Sequence, residues 1–421
     1  MKTVHVPFLF IVALVFAINV KAQKPEEEKK FGISFSGFVK TDAFYDMRQT
    51  VSIREGHFLL YPANVDNDSL GNDINAHPSF NILSIQSRLT GKITGPDAFG
   101  AKTSGMIEGA FFGHTESDIN GFRLRHAFVK LNWEKSELLA GQYWHPLIIV
   151  QAFPEVISFN TGVPFQPFSR NPQLRYTYKI KNLSLIATAF TQRDFTSNGP
   201  KGASSIYMRN AIIPNLNFTT TYAFKDNKNI VGAGVDYKTL VPEIETDLGY
   251  STNTSLSSIS ATVFSKMVFN KITWKVQGLY AQNAHDITGI GGYAVMFDSY
   301  DTIVGKREYT NYNTGSVWTE LMYTTEKITI GLFGGFTKNL GTSDQMEPGA
   351  TNVFARGTNI AYVYRISPRI AFKQGKTTIA FEVEHTTAAY AKATDIDNMG
   401  KFLNSTEVLN VRGMLSFIYS F

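Results

Sequence analysis

The stretch NPQLRYTYKI (residues 171–180) alternates step by step: Leu174, Tyr176, Tyr178 and Ile180 are apolar or aromatic, while Gln173, Arg175, Thr177 and Lys179 are polar. Successive strand side chains point to opposite sides of a sheet, so this is a β-strand with two unlike faces. A soluble sheet buries the apolar face. A barrel strand in lipid turns it outward. The rest of the chain decides between them.

The 421 residues are 43% hydrophobic and only 18% charged, with 33 Phe, 19 Tyr and no Cys. Disulfides, thiolate metal sites and cysteine nucleophiles are therefore excluded. The opening MKTVHVPFLFIVALVFAINVKAQ sets a lysine before a short apolar run ending near Ala22, the pattern of a signal peptide over residues 1–22. A short charged periplasmic linker, residues 23–31, leads into a body over residues 32–421. The net charge of +5 shrinks once Lys2 and Lys21 leave, too slight a balance to indicate nucleic acid. No later run approaches the ~20 apolar residues of a membrane-spanning helix.

Within the body, alternating segments are joined by two kinds of connection. Seven are short and polar: residues 95–100, 134–135, 181–182, 226–228, 270–271, 326–327 and 373–376. Eight are long: residues 49–79, 114–120, 146–169, 194–204, 241–253, 284–313, 339–352 and 393–405. Short and long take turns without exception, which gives about sixteen strands with all short turns at one end. That is an all-β fold, a transmembrane antiparallel β-barrel with short periplasmic turns and long external loops. Closure leaves no unpaired edge in hydrocarbon and permits a wet interior. A soluble β-sandwich would mix connection lengths at both ends.

The apolar parity then faces outward. It includes Ile272, Trp274, Val276 and Tyr280; Ile328, Ile330, Leu332 and Phe336; and Ile360, Tyr362, Tyr364 and Ile366. Aromatics cluster beside the short turns (Trp133, Tyr178, Phe224, Phe269, Phe372, Tyr419), where an interfacial girdle belongs. The chain stops inside its last alternating segment at Phe421, a terminus like the assembly signal of outer-membrane barrels.

The polar parity faces the lumen. It carries the basic residues Lys40, Arg88, Lys92, Arg175, Lys179, Arg209, Lys238, Lys266, Lys275, Arg365, Arg369 and Arg412. Against them stand the acidic Asp42, Asp46, Glu108, Asp236, Glu320, Glu382 and Glu384. Rings of Arg and Lys are how anion pores select, so the bias points to small anionic solutes. Lys92, Lys179 and Lys275 also read as turn-adjacent lysines facing periplasmic water, and Arg–Glu pairs as wall braces. The loop over residues 146–169 is too apolar to stand in water. It either folds into the barrel mouth or packs on neighbours.

Four segments, FRLRHAFVKLNW (122–133), LLAGQYWHP (138–146), AFPEVISFN (152–160) and FSRNPQLRYTY (168–178), follow one another in one block. With SGFVKTDAFYD (36–46), they resemble in order and spacing the DcaP-like family of outer-membrane porins. The resemblance implies a sixteen-stranded trimeric porin whose positive constriction favours small anions such as dicarboxylates. It makes Arg123, Arg125, Arg170 and Arg175 candidate constriction residues. Arg88, Lys40, Asp42, Arg365 and Arg412 join them by parity as pore-lining candidates. By the same parity Arg125 falls outward with Ala127, Val129 and Leu131. Family members can carry a periplasmic coiled coil, for which residues 23–30 are far too short.

Other motifs fail. VDNDSLGND (65–73) sets Asp66, Asp68 and Gly71 as in a calcium loop, but Leu70 and His77 stand where oxygen ligands are required. The histidines lack metal spacing such as HExxH, and there is no G-x-S-x-G, so no enzyme is expected and no cofactor. GLFGGF (331–336) reads as close-packed strand glycines. The expectation is a passive porin in outer-membrane lipid. The alternative is a barrel that does not conduct and serves as an adhesin or scaffold.

Overall fold

The structure, a computed structural model, describes residues 31–421. The expected signal peptide, residues 1–22, and most of the expected linker lie outside the described residues. Sixteen strands form the barrel. They are β1 (Gly32–Asp46), β2 (Ser79–Leu83 continued by Arg88–Thr94), β3 (Lys102–Ala110), β4 (Arg123–Asn132), β5 (Ser136–Trp144) and β6 (Arg170–Ile180). Next come β7 (Leu183–Phe190), β8 (Asn215–Phe224), β9 (Asn229–Leu240), β10 (Leu256–Phe269) and β11 (Ile272–Gln282). The last five are β12 (Tyr309–Thr324), β13 (Ile328–Thr342), β14 (Ile360–Gln374), β15 (Thr377–Tyr390) and β16 (Thr406–Ser420).

Each strand pairs antiparallel with its sequence neighbours, and β1 closes the barrel on β16, with Phe38 opposite Ser420 and Asp46 opposite Arg412. Phe421 extends that seam: its N–H donates to the Gly37 carbonyl at 3.1 Å. Closure matters because an open strand edge in hydrocarbon leaves backbone groups without partners. All seven short turns stand where the alternation puts them. Lys181 and Asn270 adopt positive φ in the tight hairpin turns.

In β6 the apolar set is outside: Leu174, Tyr176, Tyr178 and Ile180 are 57%, 46%, 41% and 48% exposed. Leu216, Phe218, Val263, Leu321, Leu332, Phe381 and Phe417 continue this band. An apolar surface of this extent belongs in lipid.

Parity fails where the ladder is irregular. A register shift between Ile360 and Tyr362 turns Ile360 into the buried interior, against the outward expectation, while Ile366 does face out. Arg209 is not on a strand at all; it lies in a one-turn helix, Ile206–Asn210, within a long loop.

Candidate constriction site

Two long loops fold into the barrel. The loop over residues 146–169 buries Phe159, Val163, Phe165 and Phe168, and a hairpin of the first loop (Thr50–Ile53 with Phe58–Pro62) buries Phe58 and Leu60 beside them. They pack together against the wall residues Trp318 and Phe333. The mouth-folding expectation for this apolar loop is thus the one observed. Glycine on the wall makes the fit possible: a Cβ on Gly335 would stand 2.4 Å from the Phe165 ring.

Inward-facing carboxylates hold the loop by its backbone. Glu320 accepts from the Glu155 N–H at 2.9 Å, and Glu382 accepts from the N–H groups of Ile157 and Ser158. Glu384 accepts from the Asn160 amide at 2.7 Å. Hydrogen bonds to a charged acceptor contribute about 1.5–3 kcal/mol each, so together they fix the loop firmly.

Several expected pore-lining residues serve this bracing instead. Arg365 donates to the carbonyls of Val163 (2.9 Å) and Leu60 (3.0 Å), one on each inserted loop. Arg412 clasps Asp46 at 3.0 and 2.6 Å and donates to the Gly56 carbonyl at 2.7 Å. Lys40 lies 3.2 Å from Asp42 and donates to the Ile157 carbonyl; Asp42 also bonds His57 at 2.6 Å. All four point inward as their parity requires, but loop backbone and carboxylates occupy the charge of Arg365, Arg412 and Lys40, and Lys40 and His57 occupy that of Asp42. Lys275, read as facing periplasmic water, is buried between Glu155 and Glu320.

The unbalanced charge lies elsewhere. Arg170, at the start of β6, approaches Asp194 through Nε and Nη2 at 2.7 and 2.6 Å, and Arg123 reaches the other oxygen of Asp194 at 2.6 Å. Arg125 donates to Glu108 at 2.8 Å, and Arg88 stands 3.6 Å from the same carboxylate. Arg54, from the inserted hairpin, completes the group with its guanidinium 4.3 Å from the Phe112 ring centre. These five guanidiniums lie within electrostatic reach through Arg170. They face two carboxylates, Glu108 and Asp194. A third, Glu116, is engaged by the backbone N–H groups of Arg54 and Glu55. Phe112, Trp144 and Phe168 each stand 5.4 Å from the Arg170 guanidinium and orient it. Burial pushes the Asp194 carboxyl up, but Arg170, Arg123 and Arg54 outweigh it and hold the group below its ordinary value.

Arg125 corrects the outward assignment. The ladder between β3 and β4 shifts register at Glu108/Gly109, so Arg125 is the extra residue of a β-bulge. Arg125 and His126 are therefore both buried inward, whereas Val129 beyond the bulge faces lipid as expected. Arg175 stands apart from the group: it faces inward, donates to the Trp144 carbonyl at 3.0 Å, lies over Tyr143 and has no ion pair among the described residues. Sequence reasoning missed Arg54 and Asp194 because both lie in loops, where parity says nothing.

No group of His, Asp and Glu among the described residues could hold a metal ion. Asp68, the calcium-loop candidate, instead accepts from the backbone of Leu70 and Asn72 within its own turn.

No family model and no curated sequence matches the chain. Solved structures do. The outer membrane channel DcaP of Acinetobacter baumannii superposes with a TM-score of 0.67 at 16% identity, over 93% of this chain and 97% of that one. An anion-selective porin from Comamonas acidovorans matches at 0.53 and 10% identity, over 93% and 100% of the two chains. OmpF of Salmonella typhi, in complex with daunomycin, matches at 0.53 and 12%, over 92% and 97%. At these identities the likeness is one of fold: the chain is a closed sixteen-stranded barrel with the architecture of the outer-membrane porins, the DcaP channel among them.

Proposed function

We propose that the chain is a passive outer-membrane channel that favours small anions, dicarboxylates among them. One observation carries this reading: five guanidiniums converge on two carboxylates beside the loop that narrows the barrel. The excess positive charge attracts an anion, and several donors of similar strength let it pass from one to the next without a deep trap. The anion-selective Comamonas porin has the same fold, which is consistent with this use of it. Association into trimers accords with the family resemblance and would cover part of the outer apolar band.

Purified protein in a planar bilayer tests the proposal. Stepwise conductance is expected, with a reversal potential across a KCl gradient that reports chloride preference. Absence of conductance refutes the channel; preference for potassium refutes only the anion reading. The first of these results would favour a barrel that serves as adhesin or scaffold. That reading has support in the packing of Phe58, Phe159 and Phe165 against Trp318 and Phe333 across the lumen.

A further inference from the structure

The short turns carry a charge pattern that anion conduction does not require. Six consecutive hairpin turns, from β4–β5 to β14–β15, each present an exposed lysine: Lys135, Lys181, Lys228, Lys271, Lys327 and Lys376. None of the six forms an ion pair among the described residues. Glu134, Asp226 and Glu326 share these turns, and Lys225 and Lys373 add to the cations, so lysines exceed carboxylates eight to three. The opposite end has the reverse bias, with Glu243, Glu245 and Asp247 in one long loop and Asp298 and Asp301 in another. The positive charge at the turn end is therefore local and not a reflection of the overall balance.

We infer that this lysine ring binds the phosphate headgroups of anionic phospholipids in the periplasmic leaflet. The exposed aromatics Tyr178, Phe269, Tyr323, Phe372 and Tyr419 lie just above the turns and set the level of the membrane interface. Lysines two to four residues further on, Lys181, Lys271, Lys327 and Lys376, have the reach to place their ammonium groups among headgroups while their methylene stems stay on the apolar wall. A single globular partner would need its cations on one arc of the rim. These lysines recur turn after turn around the wall, which fits a ligand present on every side, as a lipid leaflet is. The inference rests on the barrel's placement in the membrane and is independent of whether it conducts.

Trp133 and Trp274 lie near the turns, with Trp274 exposed on the outer wall, whereas Trp318 is buried in the interior. Refolded protein in phosphatidylcholine vesicles containing brominated phosphatidylglycerol, or brominated phosphatidylcholine at equal mole fraction, reads which lipid contacts the rim by tryptophan quenching. An apparent preference for the anionic lipid of about fivefold is expected, fading in high salt. The variant with all six lysines changed to Gln should lose it, and its folding is verified by heat-modifiable migration on gels. Equal quenching by the two lipids in the unaltered protein overturns the inference, as does a preference that survives in the folded variant.

Discussion

Asp194 lies between two arginines from different strands, Arg123 on β4 and Arg170 on β6, each within 2.6 Å of one of its oxygens. One carboxylate thus cross-links the two sides of the guanidinium group and keeps them from separating under their own repulsion. Asp194→Asn removes the negative charge but not the arginines. Chloride preference in the reversal potential should rise, while resistance to urea falls by about 3 kcal/mol, because a buried charge group loses its partner. Arg170→Ala should move selectivity the other way.

The same carboxylate sets a pH dependence. Its value is lowered in the folded protein, so its contribution is complete above the ordinary carboxylate range and is lost as pH falls through the lowered value. Buried His145 and His285, in the long loops, are pushed down to about 3 and stay neutral through this range. The charge that Asp194 contributes to the reversal potential should therefore be constant from pH 7 to about pH 5. A step in chloride preference near pH 6.5 would show that a group other than Asp194 governs selectivity.

Arg125 shows both the reach and the limit of the sequence. Alternation along β6 and the short–long rhythm of the connections reveal the barrel, its outward face and its strand number, because each repeats sixteen times or nearly so. A β-bulge is a single event that leaves no mark in a period-two pattern. Nothing in FRLRH states that Arg123 and Arg125 face inward before the bulge and His126 faces inward after it. Arg125→Ala should reduce chloride preference without loss of folded barrel. An unchanged reversal potential would mean that Glu108 already neutralises its charge.

The outer surface can be tested at Leu174, which is 57% exposed on the apolar face of β6. An arginine placed there meets hydrocarbon, at a cost of about 2–4 kcal/mol if the site is near the bilayer midplane. Leu174→Arg should refold into vesicles in lower yield than Thr177→Arg, whose position faces the lumen. Equal yields would place this strand outside the lipid band.

Loop insertion engages a few inward-facing carboxylates as well as its apolar residues. The loop over residues 146–169 offers backbone N–H groups that would be buried without partners if Glu320 and Glu382 did not accept them. Glu320→Ala and Glu382→Ala together should free the middle of the loop, raising single-channel conductance and adding rapid current fluctuations. Phe165 remains seated against Gly335 in that variant, but buried Lys275 and Arg369 lose their Glu320 partner, so the thermal stability of the barrel should fall as well. Unaltered, quiet conductance would show that the aromatic packing suffices.

Arg175 separates the effect of field from the effect of contact. It faces the lumen with no ion pair among the described residues, its guanidinium 5.2 Å from the Tyr143 ring, away from the five converging arginines. Removing it deletes one positive charge and breaks no ion pair. Arg175→Ala should therefore weaken chloride preference less than Arg170→Ala and leave stability nearly unchanged, since only one hydrogen bond to the Trp144 carbonyl is lost. If the two variants shift the reversal potential equally, selectivity follows the summed lumenal charge. If Arg175→Ala does nothing, selection is confined to the cluster around Arg170.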